Sequence, residues 1–260
     1  MSPTGGDDKR FKTIANRWQF VAPFTGRYMS TLRIIGDVHA QVDRDTLCRR
    51  GARPYFEIIS DAAYSIQVGD MGDGETYDQL AANVDASRHR FFPGNHDHYD
   101  RLPPHSLGDY GAVCWGGVDF FFVRGAASSD REKLVRRGRE LGKRIWFENE
   151  ELTDAQMLAA EQKYLLAKPQ IMLSHDAPTD IARFVWQYNL QLGPPNPRAV
   201  FCPSRSNDFL MRLLDQHAPS LWLFGHYHRD WQHRSDDTHF VCVGELSYVD
   251  IDSTGVVHRL

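Results

Sequence analysis

Five short segments of this sequence set a potential metal ligand directly behind an apolar run. They are Gly36-Asp37-Val38-His39, Gly69-Asp70-Met71-Gly72-Asp73, Gly94-Asn95-His96-Asp97, Ser174-His175-Asp176 and Gly225-His226-Tyr227-His228. Carboxylate, imidazole and amide donors suit Mn, Fe or Zn ions better than a thiolate site would. The glycines allow tight turns and close backbone approach. Taken singly, each segment also has an ordinary reading. Asp37 could close a turn and His39 face solvent; Asp70 could close another; His175 could be a satisfied core histidine. Asn95, His96 and Asp97 are less ordinary, because three ligand types follow Phe91-Phe92-Pro93 directly. His226 and His228 fall on the same side of an extended segment, where two imidazoles can act together. All five in one order point to a metal centre.

Such residues meet only if the elements before them run side by side. Leu32–Ile35, Tyr64–Val68 and Arg90–Phe92 are short apolar runs that end in Gly or Pro-Gly, and they predict buried strands. Gln41–Arg50 and Thr76–Ala86 read as helices, the second behind an Asp73-Gly74 turn signal. Val113–Trp115 and Val118–Val123 flank Gly116-Gly117, a hairpin signal. Ser129–Leu141, Thr153–Leu166 and Asn207–His217 read as helices, with Thr153 or Asp154 as an N-cap. Ile171–Leu173, Leu221–Phe224, Phe240–Val243, Tyr248–Ile251 and Val256–His258 read as further strands. Alternating strands and helices followed by a strand-rich end predict an α/β or α+β layered sandwich. Residues at the carboxyl ends of strands in an open sheet gather in one crevice.

Length and composition agree with this. The 260 residues are 42% hydrophobic and 25% charged, enough apolar material for a substantial core in one domain. We read residues 29–260 as that domain and 1–28 as an N-terminal extension, whose Trp18, Phe20 and Phe24 argue that it packs on something. A net charge of −4 gives no global reason to expect nucleic acid. Cys48, Cys114, Cys202 and Cys242 are dispersed, which predicts neither a thiolate zinc site nor a disulfide framework; Cys114 and Cys242 sit in apolar runs and read as buried. The polar start, Met1–Arg10, is not a secretory signal, and no apolar stretch is long enough to span a bilayer. A cytoplasmic location is expected. Oligomeric state cannot be read.

The five segments resemble the signature of the calcineurin-like metallophosphoesterase superfamily: D-x-H, G-D, G-N-H-D/E, a lone H and G-H-x-H. The match runs from Gly36 to His228. The resemblance implies two mixed β-sheets packed face to face with helices outside. It implies two divalent ions, most often Mn, with Fe, Zn, Ni or Mg as alternatives. Asp37, His39 and His228 would hold the first, Asn95, His175 and His226 the second, and Asp70 would bridge them. The expected activity is hydrolysis of phosphate esters by a shared hydroxide attacking phosphorus in line. His96 would stabilise charge or protonate the leaving group, and Asp97 would orient it.

The substrate is less legible. Phosphoprotein phosphatases of the superfamily carry G-D-x-x-D-R-G and G-N-H-E; here Gly72-Asp73-Gly74 lacks the arginine and the third segment ends in Asp97. A small phosphomonoester, phosphodiester or nucleotide is therefore expected, with a phosphoprotein as alternative. Asp73 reads as a helix cap, and Asp176 as either a partner of a ligand or a cap. Arg131, Lys133, Arg136, Arg137, Arg139, Lys143 and Arg144 form a basic run within a lid-like segment near residues 124–165. As a solvated helix face it does nothing; as a lid, Arg124 and Arg131 would receive phosphate oxygens. The run alone supports a nuclease reading. A non-catalytic scaffold would have lost ligands, and none is missing.

Overall fold

A computed structural model describes residues 31–44, 51–193, 200–235 and 237–259. The extension 1–28, Cys48 and most of the expected helix Gln41–Arg50 lie outside these residues; residues 41–44 are not helical. Two mixed sheets pack face to face with helices on their outer surfaces. The first contains β1 (Leu32–Ile35), β2 (Tyr64–Gln67), β3 (His89–Phe91), β10 (Tyr248–Ile251) and β11 (Val257–Arg259), in the order β11-β10-β1-β2-β3. The second contains β4 (Tyr110–Trp115), β5 (Val118–Val123), β6 (Ile171–Ser174), β7 (Leu221–Phe224), β8 (Trp231–Arg234) and β9 (His239–Cys242), in the order β4-β5-β6-β7-β9-β8.

Apolar residues at both parities of a strand demand cover on both faces, and the packing supplies it. Leu32, Ile34, Phe120, Phe122, Leu221 and Leu223 point between the sheets. Their neighbours Phe121, Trp222 and Phe224 point the other way, against α4 (Asp154–Ala167), α5 (Thr179–Leu192) and α6 (Arg205–Gln216). On the outer face of the first sheet, Ile35 and Phe91 pack against α1 (Tyr55–Ile59) and α2 (Gly74–Asn83). The expected hairpin is present: Gly116 and Gly117 take φ of 58° and 80°, the left-handed pair that a two-residue turn requires. Helix starts follow the capping chemistry. Asp73 accepts from Glu75 and Thr76 N–H, and Thr153 forms a reciprocal box with Gln156.

Two expectations change. Cys114 is exposed, because β4 is an edge strand whose residues alternate outward; Cys242 is buried as expected. The basic helix α3 (Arg131–Leu141) lies on the surface, whereas α4, in the second half of the lid-like segment, buries Met157, Ala160 and Tyr164 in the core. β1 runs parallel to β2 and β2 to β3; β5, β6, β7 and β9 are also mutually parallel. The carboxyl ends of β1, β2, β3, β6 and β7 therefore deliver all five segments.

Candidate active site

Each segment leaves its strand through a sharp turn, and the chain tolerates strained backbone to make it. His39, Asp70, His226 and His228 have φ of 48°, 60°, 67° and 54°. Left-handed backbone costs a non-glycine residue on the order of 1 kcal/mol or more, and it persists where surrounding structure dictates it. Here the turns are laced together. Val38 and His39 N–H donate to Asp70 O, Leu246 N–H to Asp37 O, and His226 N–H to Asp37 Oδ1. Gly94 lets two turns touch: a Cβ there would lie 2.2 Å from Asp70 Oδ1.

The turns bring together the seven predicted ligands. Nε2 of His228 lies 3.0 Å from Asp37 Oδ2 and 2.9 Å from Nε2 of His39, which is 3.7 Å from both Asp37 Oδ2 and Asp70 Oδ2. On the other side of Asp70, Nε2 of His175 lies 3.4 Å from Asp70 Oδ1 and 3.0 Å from Asn95 Oδ1. The ring of His226 faces that of His175 at 5.1 Å. Two donor groups result, Asp37–His39–Asp70–His228 and Asp70–His175–His226, joined through Asp70.

These residues fit a pair of cations. Asp70 Oδ2 is buried without a hydrogen-bond partner among the described residues, and Asp37 Oδ2, equally buried, faces Nε2 of His228; a buried carboxylate left uncompensated costs several kcal/mol. Two imidazole nitrogens facing each other at 2.9 Å want a shared positive centre. Electrostatics agree. Burial opposes charge on Asp70, yet the charges of His175, His39 and His96 hold it well below the ordinary carboxylate range. Burial likewise opposes a proton on His175, but Asp70 and Asp37 push it up to about 10. Val68 O receives Nδ1 of His175 at 2.9 Å, so Nε2 is turned toward the cage.

His96 stands beside this cage. Its N–H donates to Asp70 Oδ1 at 2.8 Å, its ring lies 5.6 Å from that of His39, and the ring has no hydrogen-bond partner among the described residues. Asp97 does not orient it. Its carboxylate turns inward, accepting from the N–H groups of Asp70, Met71, Gly72 and Gly94 and from the Tyr77 hydroxyl. Burial and the nearby Asp70 raise its pKa to about 6. Asp97 ties the turns of the second and third segments together.

The two arginines are also reassigned. Arg124 is 4% exposed, bonded to Asp109 and Asn149 O, and stacked on Tyr99. Arg131 lies 4.2 Å over the Trp146 ring. Neither lines the cavity at the cage. Asp176 does not cap α5. It accepts from Ala177 N–H, Asn207 Nδ2, Ser204 Oγ and the Tyr227 hydroxyl, tying the His226 turn to the start of α6. Sequence reasoning missed Ser128 and Glu150. Asn95 Nδ2 donates to Ser128 Oγ at 3.0 Å, and Ser128 Oγ donates to Glu150 Oε2 at 2.6 Å, all buried. Nothing in the local sequence marks that chain of contacts.

A cavity of about 690 Å³ opens on Asp70, Asn95, His96, His226 and His228. The fold and this cage are those of a metal-dependent phosphoester hydrolase scaffold. The chain matches the calcineurin-like phosphoesterase family over residues 31–230, and it belongs to that family. The family binds a dinuclear metal site and cleaves phosphoesters. The chain is also similar, at low identity, to several solved structures. Phosphopantetheinyl hydrolase of Mycobacterium tuberculosis is 13% identical with a TM-score of 0.40, over 84% of this chain and 90% of that one. Vps29 of Chaetomium thermophilum is 13% identical with a TM-score of 0.37, over 87% and 84%. GAP50, an inner-membrane-complex anchor of Plasmodium, is 11% identical with a TM-score of 0.45, over 90% and 89%. No curated protein matches at a significant level. Among the described residues no helix is long and apolar enough to cross a membrane.

Proposed function

We propose that this chain is a two-metal hydrolase of small phosphate esters. The observation that carries the reading is the pair of donor groups sharing Asp70, with buried carboxylate oxygens of Asp37 and Asp70 at their heart. Asp37, His39 and His228 would hold one ion, Asn95, His175 and His226 the other, and Asp70 both. Manganese is the leading candidate, with Fe, Zn, Ni and Mg accepted by the same donors. Bound there, such ions would supply Lewis-acid polarisation of a phosphoryl group and would lower the pKa of water.

The remaining chemistry falls to the chain itself. His96, with a free ring at the cavity wall, hydrogen-bonds a phosphoryl oxygen or protonates the departing alkoxide. Asp97 keeps the Asp70 and Gly94 turns in register. His175, pinned by Val68 O, presents one fixed nitrogen. A small ester is favoured over a polynucleotide because none of the basic residues from Arg131 to Arg144 lines the cavity.

The test is a screen of the Mn-loaded full chain against monoesters, cyclic and linear diesters and phosphopeptides, with His96→Ala in parallel. Turnover of at least one small ester is expected, falling by about 10²–10⁴-fold in His96→Ala at unchanged metal content. Ester turnover absent with every metal would end the reading.

A further inference from the structure

The cavity beside the cage is larger than a phosphoryl group needs, and its volume of about 690 Å³ lies in the range of roughly 300–1,000 Å³ usual for small-molecule sites. Part of its wall is aromatic. Trp186, from α5, and Phe201, from the segment leading into α6, both line it. Their ring centroids are 5.8 Å apart with planes at 55°, and both residues are only partly buried. The rest of α5 explains why Trp186 is held there. Ile181, Ala182 and Val185 anchor the helix in the core, and the next residue is turned to the cavity. Arg183 lies 5.7 Å from the Phe201 ring and steadies it. Asp130 also lines the cavity, its carboxylate 3.8 Å from Nζ of Lys133.

We infer that Trp186 and Phe201 form a subsite for a flat, uncharged aromatic part of the ester, such as a nucleobase or an aryl group. The inference rests on the proposed phosphoesterase reading and extends it to the other end of the substrate. An aromatic face rewards stacking by any planar ring, and such contacts tolerate differences among bases.

The discriminating pair is a nucleoside 5′-monophosphate and ribose 5-phosphate, which present the same scissile bond and differ by the base. Their methyl diesters form a second pair. On metal-loaded full-length protein, the base-bearing member is expected to have a kcat/KM higher by about tenfold or more, the gain falling in KM. Equilibrium binding should show the same ratio without turnover. Trp186→Ala and, separately, Phe201→Leu should collapse both ratios toward one. Folded controls are given by circular dichroism and by retained metal stoichiometry. Equal handling of the two members, a ratio that survives both variants, or preference for a phosphopeptide would overturn the subsite. No turnover of any ester, with tight base-dependent binding intact, would instead sink the catalytic reading and leave the subsite standing.

Discussion

The side-chain amide of Asn95 donates to the hydroxyl of Ser128 at 3.0 Å, leaving its oxygen facing Nε2 of His175. Ser128 in turn is held by Glu150 through both its hydroxyl and its N–H. An amide has two ends of opposite polarity, and only one can serve a cation. Ser128→Ala removes the contact that selects the right end. It should weaken one of the two ions by about 10–100-fold, the usual loss for a partner behind a ligand, and leave the other unchanged. Stepwise metal titration by calorimetry reads the two sites separately; equal loss at both, or none, would refute the assignment.

Metal should also stabilise the fold. An ion at about 100 times its Kd contributes about 2.7 kcal/mol, and a domain of this size gains about 2–4 °C per kcal/mol, so Tm should rise by about 5–10 °C. Chelator should reverse the rise. Asp70→Ala, which takes a donor from both groups, should abolish it. A melting point indifferent to Mn, Zn and Fe would contradict the fit of the cage.

Arg124 is expected to matter for folding and not for substrate. Its guanidinium is buried against Asp109, Asn149 O and Tyr99. Arg124→Met should cost about 2–3 kcal/mol, below the range for a fully buried pair because the Asp109 side chain is 42% exposed. KM for the ester, measured on folded protein, should stay near the parent value. A steep rise in KM with unchanged stability would restore the phosphate-binding role.

A pH prediction comes from His89, away from the cage. Burial, with help from Arg88, pushes His89 down to about 4. Its ring pairs with Ser65 Oγ, and Arg88, Asp85 and His105 are the charged and titratable groups around it. The folded pKa is below the unfolded value of about 6.5, so between those values the unfolded chain binds a proton that the folded chain refuses. Stability therefore rises with pH across roughly 4–6.5. In chelator, urea midpoints at pH 7 and pH 5 should differ more for the parent than for His89→Gln. Identical differences would show that the ring does not titrate as described.

Much of this fold was written into local patterns. Four-residue runs such as Leu32–Ile35 and Leu221–Phe224 are strands to the residue, because both faces are covered and buried; the one charged member, Arg33, is neutralised by Asp250 and Asp61. That seven candidate donors would converge is legible because glycine, aspartate and histidine clusters at strand ends serve few structural purposes. What failed was anything settled by a distant partner. Asp97 follows His96 in sequence, yet the turn carries its carboxylate to four backbone N–H groups instead. Arg124 advertises a charge, while Asp109, which neutralises it, belongs to the segment before β4. Helix α5 was missed because Phe184, Tyr188 and Leu192 make its outer face apolar too, which blurs the helical period. Edge strand β8 is polar and partly exposed, and only its pairing with β9 defines it.

The donors come from both layers of the sandwich: Asp37, His39, Asp70 and Asn95 from the β1–β3 layer, His175, His226 and His228 from the β6–β7 layer. Each bound ion would thus clasp the two layers along one edge, like a stud through two sheets of leather. Demetallation should then do more than silence chemistry. It should let that edge gape, so amide exchange would quicken first at the ends of β1 and β7, while the opposite edge, where Trp115 Nε1 donates to Arg88 O across the sheets, kept its usual pace.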